Sequence, residues 1–225
     1  KTVNNDSARE VDLTPFIESV ETKPANSILN TGLHITSDKK INVIYEIQSP
    51  YNAATYTLGG KEALGYEFII PAQSHLPNFP NCDPPARNVF DIVATEDSTV
   101  VHILPKQPII GHPPADTFAI ILNRGQTWSG RAASGDSSKH LGGSFVFADK
   151  PVAITVTDDA LFVSGSDEST FDIAGDQLMP RDLCGTEFIP VAFLDAFKPK
   201  LWIYAFENDT YVSMIDTSYT LHDTI

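Results

Sequence analysis

The 225 residues are 42% hydrophobic and 20% charged, a globular balance that excludes a disordered chain. Fifteen Lys and Arg face 29 Asp and Glu, a formal net charge of −14 that repels a phosphate backbone and an anionic membrane surface; nucleic acid is therefore excluded as a partner. No apolar run approaches the about 20 residues of a membrane span, and 16 Pro, 13 Gly and only two Met suit pleated sheets and tight turns.

The chain opens on Lys1-Thr2-Val3 without an initiator Met, which reads as a mature protein whose export signal has been removed. Residues 1–30 are expected as a lead-in. Asp38-Lys39 introduces an alternating apolar run from Ile41, and the loop-rich stretch 49–60 carries Tyr51 and Tyr56. Gly65-Tyr66-Glu67-Phe68-Ile69 predicts a core strand, followed by the Pro-rich loop Asn81-Cys82-Asp83-Pro84-Pro85. The turn Glu96-Asp97-Ser98 separates strands at 89–94 and 99–104. A further strand, 118–122, ends in the turn Asn123-Arg124-Gly125-Gln126, just before Trp128. Asp149-Lys150 lies between apolar runs at 144–148 and 152–156, which predicts a hairpin with a polar tip and Pro151 at the turn. Glu207-Asn208-Asp209 predicts another tip between 202–206 and 210–215. The last residues still alternate, so the polypeptide is expected to continue beyond Ile225. Cys82 and Cys184 permit one disulfide by parity, a matter of geometry that the sequence leaves open.

Several of these blocks recur. Asp38 to Asp149 and Glu96 to Glu207 are both steps of 111 residues, and Gly65-Tyr66-Glu67-Phe68-Ile69 returns as Gly185-Thr186-Glu187-Phe188-Ile189. The predicted fold is all-β, with antiparallel sheets from internal repeats of about 110 residues in a sandwich-like arrangement; a β-propeller, or part of one, is the alternative. The repeats are placed at 31–140 and 141–225, the second incomplete and the two packed as one unit or separately.

Candidate sites follow from the loops. Six carboxylates fall between Asp158 and Asp176, among them Asp158, Asp159, Asp167 and Glu168, on Gly- and Ser-rich segments. Clustered hard oxygens suit Ca²⁺, although the spacing is not that of a helix-loop-helix calcium site. A solvated acidic loop is the plainer reading. The same carboxylates supply the residue type, though not the geometry, of a glycosidase pair. Tyr51, Tyr56 and Trp128 are the binding candidates, because an aromatic face stacks on a sugar or anchors a protein. The six histidines show no metal-ligand spacing, and neither a nucleophile elbow nor a phosphate loop is present. No catalytic residue is assigned.

In order and spacing the blocks resemble the IgGFc-binding protein N-terminal domain family. The matching stretches are 37–43, 65–71, 94–101, 122–128, 143–156, 176–190 and 205–212. Lys40 departs from the pattern by replacing a Pro, and 185–190 is one residue shorter than 65–71. The resemblance implies a secreted or cell-surface protein, of the kind found in Bacteroidetes-type bacteria, that binds an extracellular protein or glycan without catalysis. It implies no cofactor. A carbohydrate-active or sugar-binding domain working through 158–176, and a structural repeat of a larger surface protein, are the alternatives.

Overall fold

The computed structural model describes residues 8–48, 53–162, 171–190, 200–215 and 221–224. The chain divides into two compact units, Lys1–Cys184 and Gly185–Ile225. In the second, β10 (Ser213–Ile215) and β11 (Leu221–Thr224) form an antiparallel hairpin.

The first unit is all-β and antiparallel. β1 (Ile44–Gln48) and β2 (Ala53–Thr57) form a hairpin that pairs Tyr45 with Tyr56. The strands β3 (Gly65–Ile69), β4 (Asn88–Ala94), β5 (Thr99–Leu104), β6 (Phe118–Leu122), β7 (Thr127–Arg131), β8 (Phe145–Phe162) and β9 (Phe171–Gln177) make one seven-stranded sheet. Its hydrogen-bonded path runs β6-β5-β8-β4-β7, with β3 and β9 also on β8. The sheet curls until its ends approach, placing Trp128 of β7 5.7 Å from Phe118 of β6. The result is a sandwich-like, nearly closed layer pair and not a ring of radial blades.

The 18-residue β8 makes this possible, and it corrects the hairpin predicted at Asp149-Lys150. Its first part pairs with β5 on one side and β3 on the other; from Val152 it pairs with β4, then also with β9. β4 and β5 diverge at their turn, so each takes one half of β8 and the chain need not reverse. The register against β3 jumps from Phe147 to Val152, which concentrates the bend at Asp149-Lys150-Pro151. Pro151 has no N–H to lose from a ladder there. The polar pair clamps the β4–β5 turn instead of tipping its own: Asp149 accepts from Val100 N–H at 2.8 Å, and the Lys150 ammonium donates to the carbonyls of Asp97 and Ser98.

Between the layers lies one core, built from alternate residues of each strand: Phe68, Phe90, Ile92, Val101, Ile103, Leu122, Trp128, Val146, Ile154 and their neighbours. Burying a side chain of this size contributes about 1.5–3 kcal/mol. Gly130 stands opposite Phe90 because the ring needs the room: a Cβ there would sit 2.5 Å from Phe90 Cζ and 2.9 Å from Trp128 Cζ3.

Candidate functional site

A two-layer sheet has two outer faces, and here they differ. Over β4, β7, the second half of β8 and β9, the outward row Ser129, Asp91, Thr155 and Gln177 is polar, and the chain covers it itself. Tyr56 of the β1–β2 hairpin lies against Gly175, where an added Cβ would be 3.3 Å from the ring. It hydrogen-bonds the Thr155 side chain, and its own ring centroid is 5.4 Å from that of Tyr45. Gly59 N–H donates to Gln177 Oε1 at 2.7 Å, tying down the hairpin's end. Residues 26–32 cover the free edge of β7, with Asn26 N–H donating to Ser129 C=O and Leu29 bridging Thr127.

Burial under this cover acts on Asp91. Desolvation pushes its carboxyl up to about 6; the Ser129 hydroxyl opposes that by hydrogen bonding, the Asp159 charge reinforces it, and Arg131 opposes it. Burial likewise raises both tyrosines, with the Asp91 charge adding to the effect. Asp91 is thus a largely desolvated, partly exposed carboxyl beside the two tyrosines of the hairpin.

The other outer face has no such cover among the described residues. It is laid out in cross-strand rows: Glu67, Phe147, His102 and Ala119 in one; Ile69, Phe145 and Leu104 in the next; Asp149, Val100 and Ile121 beyond. Phe147 and Leu104 are each 38% exposed and Ile121 is 60% exposed. The His102 and Phe147 rings stack at 4.9 Å and 8°, holding the Phe147 ring in place. A polar rim surrounds these residues, with the Glu67–Arg181 ion pair at 2.8 Å on one side and Asp149 and Lys150 on another. An apolar patch on regular strands with a charged border is the anatomy of a protein-recognition surface.

The residues singled out from sequence go elsewhere. Trp128 is 1% exposed in the core against Phe90 and Phe118, so neither ring face is open to a ligand. Tyr56 is half-buried between its own hairpin and the sheet, against Gly175, and Tyr51 lies outside the described residues. Asp158 is buried, with both oxygens already engaged. Oδ1 accepts from Asn78 at 2.8 Å, while Oδ2 accepts from Gln73 at 3.1 Å and lies 3.2 Å from His140 Nδ1. Asp159 points to Arg131 at 3.4 Å, and burial raises its carboxyl. Asp167 and Glu168 lie outside the described residues. Among the described residues, no three His, Cys, Asp or Glu side chains gather in a metal-holding group. Cys82 and Cys184 are unpaired thiols.

Asn78 of this network also lines a shallow cleft of about 350 Å³, together with Pro77, Pro80, Arg87, Asp136 and Phe162. Leu104, Phe145, Phe147, Ala119 and Ile121 were missed as site residues. Their signal was present: Phe118-Ala119-Ile120-Ile121-Leu122 is apolar on both faces of its strand, and a strand of that kind needs cover on both.

Fold and site together define an all-β domain with one self-covered sheet face and one apolar face that no described residue covers as the hairpin covers the first. The sequence model described as IgGFc binding protein matches residues 53–223, and the chain belongs to that family. No curated protein and no solved structure is significantly similar to it. No helix among the described residues is long and apolar enough to cross a membrane.

Proposed function

We propose that the chain is an extracellular, non-enzymatic protein-binding module whose recognition surface is the bare face of β3, β5, β6 and the first part of β8. The observation that carries this is the exposure of Phe147, Leu104 and Ile121 together on regular strands, inside a charged rim. Membership of a family described by immunoglobulin Fc binding supports a protein as the partner and makes Fc the first probe. Covering Phe147 and Leu104 in a complex would contribute about 1.5–3 kcal/mol at most for each, less what is already buried.

The test is surface plasmon resonance of the chain over immobilised Fc, with F147S/L104S as the comparison. Saturable binding by the parent chain, weakened at least about tenfold in the variant, is expected. Near-ultraviolet circular dichroism should show both proteins folded alike, since these side chains stand outside the core. Equal binding by the folded variant would remove the assignment of the surface, and no binding by the parent would remove Fc as the partner.

A further inference from the structure

The sheet leaves several strand edges that unpaired backbone groups make available for pairing, and most are guarded. Residues 26–32 cover β7. β9 carries Asp172 and Asp176. β3 has the Glu67–Arg181 ion pair, and Pro180 lies over Gly65. The outer edge of β6 differs: Phe118–Leu122 contains no charge, Pro or Gly, its pairing with β5 runs without a bulge, and no described residue pairs with its other side.

The flanks of β6 add charge complementarity. Asp116 precedes the strand by two residues and Arg124 follows it by two, and both are exposed. Arg124 is fixed at its backbone, where its N–H donates to Asp97 Oδ1 at 3.1 Å. Antiparallel pairing of β6 with itself about Ile120 places Ala119 opposite Ile121 and Phe118 opposite Leu122, and it brings the turn that carries Arg124 beside the partner's approach segment that carries Asp116 at both ends. Each pair keeps its face, so Phe118, Ile120 and Leu122 stay on the core side and Ala119 and Ile121 on the bare side. An unguarded edge with Lys or Glu at both flanks would repel its own copy; this one attracts it.

We infer that two copies of this chain associate through antiparallel β6–β6 pairing about a two-fold axis at Ile120, with reciprocal Asp116–Arg124 pairs at the two ends. Such an interface is isologous, so every contact is made twice. It also sets two bare faces side by side as one continuous surface. The inference stands independently of Fc binding, since it concerns only the edge of β6.

Sedimentation equilibrium over a concentration series tests it on the full chain. The expected result is a reversible dimer of twice the 24.6 kDa chain mass. D116R and R124D should each weaken association at least about tenfold, because either change turns two attractive pairs into two repulsive ones. D116R/R124D should restore it. Both positions are exposed and outside the core, so the variants should fold as the parent does. A monomer at every concentration overturns the inference. So does a dimer indifferent to the single reversals, or a double reversal that fails to re-form the dimer, which would refute this register.

Discussion

Replacing Asp91 by Asn should stabilise the protein at neutral pH and flatten its response to acid. The carboxyl starts from 3.8 and is pushed up to about 6, chiefly because β1–β2 and the sheet remove water from it. The folded state therefore holds a proton between about pH 4 and pH 6 that the unfolded state has released. The associated stability is fully present below pH 4 and is lost as pH rises through 6. A displacement of about two pH units, at 1.4 kcal/mol each, makes the loss about 3 kcal/mol by pH 7. Asn carries no charge to bury and can still accept from the Ser129 hydroxyl. D91N should thus gain roughly 1–3 kcal/mol at pH 7 and little at pH 4, equivalent to several degrees in Tm for a chain of this length. Thermal unfolding between pH 4 and 8, followed by near-ultraviolet circular dichroism, reads this directly. A D91N variant less stable than the parent at pH 7, or one whose gain persists unchanged at pH 4, would refute the reasoning.

Other substitutions probe the scaffold. Gly130→Ala brings a methyl group within 3 Å of both Phe90 and Trp128, so about 1–3 kcal/mol should be lost in urea unfolding at unchanged m-value. Asp158→Ala removes one acceptor each from Asn78 and Gln73 and the carboxylate beside His140, leaving them the carbonyls of Asp159, Leu76 and Gln73. About 2–4 kcal/mol should be lost, and Asp158→Asn should cost less because its oxygen still accepts. Asp149→Ala removes the acceptor for Val100 N–H at the corner of β8. About 1 kcal/mol should be lost, with amide exchange of Val100 accelerated more than that of Ile92 in mid-strand.

The strands whose apolar residues alternate against turn residues were the legible part. Phe118–Leu122, its Asn123–Gln126 turn, and the β4 and β5 runs around Glu96-Asp97-Ser98 are where the local pattern puts them. Asp149-Lys150-Pro151 was misleading for a physical reason: the residues that make a good hairpin tip also make a good corner. Only the divergence of β4 and β5 decides between the two. Trp128 shows the same limit. An aromatic at a strand start looks like a ligand platform until register places it opposite Ile92, on the parity that faces Phe90. The bare face was half legible. The two-sided apolarity of β6 was in the sequence, but not that β1–β2 covers the other layer, which depends on Tyr56 finding Thr155 and Gly175, 99 and 119 residues further along the chain. In the second unit, residues 202–206 alternate like a strand yet form none, and Phe188 is 75% exposed where Phe68 is fully buried. Local pattern does not make a strand without a partner ladder.

The recognition surface is tested most directly by hydrogen–deuterium exchange of the chain alone and with saturating Fc. Slowed exchange in β5, β6 and the first part of β8, with β4, β7 and β9 unchanged, is the predicted result. Protection confined to 73–80 and 158–162 around the cleft, or to the β1–β2 hairpin, would contradict it.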